Sequence, residues 1–156
     1  MTQLMDKPII VGWREWVGLP ELGIARIKAK VDTGARTSAL HAFHVEQFDK
    51  GGRAWVRFKI HPRQYRTDTE IVCEAPIRDQ RIVSDSGGHK ESRFVIETPL
   101  NLPGLSWPVE ITLTSRDDMR FRMLLGRTAL MKRMIVDPSR SYLTSRRKSK
   151  RKGNVR

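Results

Sequence analysis

Apolar and polar residues alternate along most of this chain with the period of a strand rather than that of a helix. In "IARIKAKVD", Arg26 aside, the apolar positions Ile24, Ile27, Ala29 and Val31 predict a strand with one buried face. Before it, "IIVGWREWVGLPELG" opens on β-branched residues and is broken at Gly12, Gly18, Pro20 and Gly23, which predicts a short strand and two turns. "SALHAFHVEQFD" fits either a strand or a single helical turn. Asp49-Lys50-Gly51-Gly52 then predicts a hairpin into "RAWVRFKIHP", where Trp55 or Val56, Phe58 and Ile60 keep period two. A second hairpin is expected to join "TEIVCEAPI" to "QRIVSDSGGHKESRFVIETPL", with "SDSGGH" a polar turn between residues 81–83 and 93–96. "WPVEITLTSRDD", "MRFRMLLG" and "IVDPSRSYL" predict further strands, and "RTALMKRM", after Gly126, the one helix. Many short strands, glycine turns and a single late helix point to an all-β barrel or sandwich.

Composition narrows this to one domain with a disparate end. A chain of 156 residues, 38% hydrophobic and 30% charged, supports a single core. The lone cysteine, Cys73, excludes an internal disulfide, and its apolar strand predicts a small buried hydrophobe. No apolar run approaches the roughly 18 residues of a membrane span, and "MTQLMDKPIIVGW" has no secretory apolar core, so a cytoplasmic protein without membrane contact is expected. The formal net charge is +13, and "SRRKSKRKGNVR", from Ser145, carries seven basic residues and no acid. Residues 144–156 therefore read as a basic disordered tail able to contact RNA or the ribosome by counterion release. The body has neither an RRM aromatic pair nor a KH-type loop, and its four tryptophans are scattered, as packing residues are.

The candidate chemistry begins at Asp32-Thr33-Gly34 in "AKVDTGARTSALHA". A strand ending there presents a carboxylate at a tight turn, where glycine admits close backbone approach and the threonine hydroxyl can brace the loop. Taken alone, the same triplet is also an ordinary Asx turn. The second signal is Met123-Leu124-Leu125-Gly126-Arg127, an apolar strand closed by glycine. There is no GxxxxGK[ST] phosphate loop and no HExxH helix, and His41 with His44 lacks a third nearby ligand, so no metal and no cofactor are expected.

These two motifs, in this order with a glycine-rich hairpin between them, resemble the retropepsin-like aspartic proteases. The strings "KAKVDTGARTSALHA", "VRFKIHP", "SDSGGHKESRFVI" and "MLLGRTAL" are similar to a bacterial group often labelled ATP-dependent zinc proteases, over about residues 9–142. The resemblance implies a closed, all-β retropepsin-like barrel with one short C-terminal helix over residues 9–143, preceded by an extension of residues 1–8. It implies that Asp32 is catalytic, that Thr33, Gly34 and Ala35 support its loop, and that Leu124, Leu125, Gly126 and Arg127 run behind that loop. The implied flap is Ser84, Asp85, Ser86, Gly87, Gly88 and His89, with the Asp49–Arg53 turn as the alternative.

Aspartic peptidase chemistry needs two carboxylates on one water. A single such triplet therefore implies a homodimer that pairs two Asp32 side chains and cleaves a peptide or protein substrate. A metal-dependent peptidase, or a noncatalytic peptide- or ribosome-binding module on the same fold, stands as the alternative. One position departs from the retroviral pattern: an acidic residue there is Arg36 here. Arg36 becomes a candidate contact for acidic substrates, and either Arg127 finds a carboxylate at Asp137, Asp117 or Asp118 or the two arginines point apart.

Overall fold

The computed structural model describes residues 7–64, 66–84, 87–116 and 120–145. Its strands are β1 (Ile9–Val11), β2 (Arg14–Leu19), β3 (Ile24–Asp32), β4 (Ser38–His41), β5 (Phe43–Lys50) and β6 (Arg53–Ile60). They continue as β7 (Ile71–Pro76), β8 (Asp79–Ser84), β9 (Lys90–Leu102), β10 (Leu105–Thr114), β11 (Met123–Gly126) and β12 (Met134–Val136). The helix α1 (Arg127–Leu130) follows β11, and a 3₁₀ turn, Pro20–Leu22, follows β2.

The expected all-β fold is present. Six strands pair in a ring, in the order β10, β4, β11, β3, β2, β9 and back to β10, with β8 added outside β9. The ring is not a uniform barrel: β2 meets β9 through the single register pair Gly18↔Asn101. Alternation along the strands directs Val17, Ile27, Ala29, Leu40, Ile111, Met123 and Leu125 into one apolar core, each 4% exposed or less. "SALH" is fully buried strand rather than a turn, held between β10 and β11.

Strands β5, β6 and β7 form a separate three-stranded sheet. It sends Val56, Phe58, Ile60, Cys73 and Ala75 into the common core. The Cys73 thiol donates to the Leu22 carbonyl at 3.3 Å, and burial pushes its pKa up to about 12, so it is a packing residue. The hairpin expected between "TEIVCEAPI" and the following segment is absent: β7 pairs with β6, and β8 pairs with β9. The chain changes sheets within two residues, Ile77 N–H donating to Ala54 O and Arg78 N–H to Val95 O. Pairing to β9 satisfies the backbone that a β7–β8 hairpin was expected to satisfy.

The helix is shorter than "RTALMKRM" suggests. After one turn, Met131 is already extended (ψ 135°) and Lys132 takes φ 68°, which releases the chain into β12 beside β1. Parallel pairing of β12 with β1 overrides the helical preference of the last four residues. Among the described residues no helix is long and apolar enough to cross a membrane.

Candidate active site

Asp32 is the last residue of β3 and lies directly across from Gly126, the last residue of β11. Its carboxylate Oδ1 accepts the Gly34 N–H at 3.0 Å, and its carbonyl accepts the Ala35 N–H at 3.2 Å. The turn is thus built by Asp32 itself, with the second carboxylate oxygen outside that bond. Asp32 is half-buried, Ala35 likewise, while Thr33, Gly34 and Arg36 are exposed.

The second motif holds this turn from behind. Arg127 N–H donates to Ala35 O at 2.8 Å, and Thr128 donates both its N–H (3.1 Å) and its hydroxyl (2.9 Å) to Arg36 O. Gly126 N–H donates to Ser38 Oγ at 3.0 Å. Leu125 is buried beside Val31, and Leu124 sits half-buried between Lys30 and Ala39. A Cβ on Gly126 would stand 2.6 Å from Thr37 C and 2.9 Å from Arg36 C, so backbone would have to move. Gly126→Ala is expected to cost roughly 2–3 kcal/mol, a fall in melting temperature of about 5–10 °C by calorimetry. A shift under about 1 °C would show that the loop is not held by this approach.

Arg127 does not take a carboxylate partner at Asp137. Its guanidinium is exposed, and Nη1 reaches the carbonyls of Gly34 (3.3 Å) and Thr33 (3.5 Å). Solvent at the rim makes a carboxylate unnecessary, because nothing desolvates the charge. Asp137 instead accepts the Ser139 N–H and hydroxyl, which hold its carboxyl below the usual range. The other two expected partners, Asp117 and Asp118, lie outside the described residues. Ser38 and Thr128 were passed over in the sequence, where only the repeated small hydroxyl residues beside the two glycine motifs mark them.

The expected flap is the end of the β8–β9 hairpin, from Ser84, paired with Lys90, to His89. Gly88 turns it with φ 83°, while Asp85 and Ser86 lie outside the described residues. Its stem projects because only the second half of β9 belongs to the ring, and Ile82 on it is 73% exposed. Arg81 pins the stem by donating to Asp79 (2.7 Å) and Glu110 (3.2 Å). The alternative Asp49–Arg53 turn caps the separate sheet, with Gly51 and Gly52 both at positive φ. His41 is buried, stacks on Phe43 and accepts the Arg116 N–H at Nδ1, whereas His44 is exposed at φ 50°. Among the described residues no group of three or more His, Cys, Asp or Glu side chains is placed to hold a metal ion.

The chain is 49% identical over 139 residues to a Desulfotalea psychrophila protein named "Probable alpha-L-glutamate ligase". It is 44% identical over 139 residues to a protein of that name from Shewanella pealeana, and 47% over 138 residues to one from Parasynechococcus marenigrum. These alignments cover 88–89% of this chain but span only 30% of each relative's length. A crystal structure of a Legionella pneumophila protein of unknown function superposes with a TM-score of 0.75 over 88% of this chain and 99% of its own. At 24% identity that likeness speaks to fold alone.

These relatives correct the expected activity. An aspartic endopeptidase hydrolysing peptide bonds through an Asp32 pair formed across a homodimer is overturned as the expected function, because the curated relatives that share 44–49% of aligned residues with the chain are named ligases, not proteases. The zinc-protease label is not theirs either, and their names lend nothing to the metal-dependent or noncatalytic alternatives. The relatives' names and the family description are alike those of enzymes. Residues 10–147 match the RimB-like family, described as the retropepsin-like aspartic endopeptidase RimB, and the chain belongs to that family.

Proposed function

We propose that this chain processes α-L-glutamyl amide bonds within a glutamate-ligation system, with Asp32 as its proton-transfer group. The observation that carries the reading is the placement of the whole folded unit inside relatives named probable alpha-L-glutamate ligases, of which it spans 30%. The bond concerned is then the one such a ligase makes, not peptide bonds at large. Aspartic-type hydrolysis of that amide is the finer enzyme class. The family description supports it, and so does a half-buried carboxylate held in a turn by Gly34 and braced by Arg127 and Thr128. A homodimer belongs to the same reading.

The reading is tested by incubating the purified chain with α-linked decaglutamate and with decaglutamine and following chain length by mass spectrometry. Shortening of the glutamate peptide alone is expected. An intact glutamate peptide, or equal shortening of both, would remove the proposal.

A further inference from the structure

Outward-facing positions of β3 read Arg26, Lys28, Lys30 and then Asp32, because Ile27, Ala29 and Val31 between them are buried. Strand pairing sets Trp16 beside Lys28 and Arg14 beside Lys30 on the same face. Four cations therefore stand on two adjacent strands, three of them in line with the carboxylate at the end of β3.

What distinguishes these cations is their company. Several cations on other strands are paired with acids: Arg57 with Glu74 (2.9 Å) and Glu46 (3.4 Å), Arg81 with Asp79 (2.7 Å), Lys59 with Glu70 (3.8 Å). Among the described residues no ion pair involves Arg14, Arg26, Lys28 or Lys30. Aromatic rings and neutral groups hold Arg14, Arg26 and Lys28 instead. Arg26 lies 4.1 Å and Lys28 5.2 Å from the Trp16 ring centre, Arg14 lies 4.9 Å from that of Tyr142, and Lys28 Nζ donates to Gln64 Oε1 at 3.3 Å. A ring orders a cation without neutralising it, so the positive field remains for an incoming anion. Glu15, next to Arg14 in sequence, points inward, where its carboxylate is taken up by Gly12, Leu143 and Thr144.

The far end of this row opens on a groove of about 830 Å³ that Trp16, Arg26 and Asn101 help to line. Asn101, which lines it, has its Oδ1 buried without a partner. Arg122, the residue before β11, is 7% exposed with its Nε unpartnered. Alternate side chains of an extended α-linked peptide recur at about 6.8 Å, the same repeat as Arg26, Lys28 and Lys30 on β3. A γ-linked chain has more backbone atoms per residue and falls out of step with them.

We propose that this face of β3 is an exosite that holds an acidic α-linked oligoglutamate chain, its alternate carboxylates on Arg26, Lys28 and Lys30, and so directs the chain toward Asp32. The proposal rests on the glutamyl reading of the function and names where that substrate is held. RNA is the rival polyanion, since aromatic rings among cations also suit bases and phosphates.

The test is calorimetric binding to the full chain carrying Asp32→Asn, with α-linked hexaglutamate, γ-linked hexaglutamate and hexauridylate as probes. Adding Lys28→Gln with Lys30→Gln is expected to weaken α-hexaglutamate at least about tenfold and to flatten its salt dependence between about 50 and about 200 mM. The charge-matched pair Lys50→Gln with Lys59→Gln, on the other sheet, is expected to leave affinity unchanged. Equal loss from both pairs, no loss from the first, or equal binding of the two linkages would overturn the exosite. So would hexauridylate binding more tightly than α-hexaglutamate with the same sensitivity to Lys28 and Lys30. The two readings fail separately: specific binding with no shortening of decaglutamate by the wild-type chain leaves the exosite and removes the processing activity. Shortening that ignores Lys28 and Lys30 does the reverse.

Discussion

Asp32→Asn lowers the rate of α-glutamyl amide cleavage on the order of 10³-fold while leaving the fold in place. The amide is nearly isosteric with the carboxylate, and its oxygen can still accept the Gly34 N–H that closes the turn at 3.0 Å. The hydrogen bonds from Arg127 and Thr128 go to loop carbonyls and do not involve the side chain at all. What the substitution removes is the capacity to exchange a proton with a water or a leaving amine. The two effects are read together, turnover of α-linked decaglutamate by mass spectrometry and the melting temperature by calorimetry. A rate within a few-fold of wild type would take Asp32 out of the chemistry, whereas a lost rate with a lower melting temperature would make it a structural turn residue.

Glu15→Leu is expected to have the largest effect on stability. Glu15 is 1% exposed, and its two carboxylate oxygens gather four donors: the N–H groups of Gly12 (2.7 Å), Leu143 (2.8 Å) and Thr144 (3.1 Å), and the Thr144 hydroxyl (2.7 Å). Three of these are backbone groups with no freedom to turn elsewhere. A leucine fills similar space but leaves them unsatisfied, which costs on the order of 4 kcal/mol or more. The expected fall in melting temperature is about 10 °C or more, with new protease cleavage near Tyr142 as the C-terminal segment comes away from β2. Unchanged melting and protection would mean that water replaces the carboxylate without loss.

Several features of the fold and the site could be read locally. Period-two alternation in "IARIKAKVD" identified β3, because one strand facing one core leaves its imprint in its own residues. The turn at Asp49-Lys50-Gly51-Gly52 and the end of β3 at Asp-Thr-Gly were legible for the same reason, since positive φ and Asx bonding involve only near neighbours. Gly126 was marked by its motif, although its reason, a Cβ 2.6 Å from Thr37, appears only once two segments 89 residues apart are brought together.

Pairing across distance was not legible in this way. The segment Ile71–Pro76 carries a strand pattern whichever neighbour it takes, and burial of Phe58 against Cys73 chose β6 over β8. "RTALMKRM" favours a helix by local preference, yet pairing of Met134–Val136 with β1 ended it after one turn. Arg127 was assigned a carboxylate on the assumption that it was buried; exposure and two loop carbonyls supplied another answer. Likewise Lys28 and Lys30 read as the solvated side of an amphipathic strand. Whether a surface cation is neutralised depends on which side chains the neighbouring strands set beside it, and that is a property of sheet register, which no single stretch of residues contains. Local periodicity accounts for each strand, the turn at Asp32 and the class of fold, while the order of the strands, the bracing of the loop and the unpaired cations of β3 arise from contacts between residues far apart in the chain.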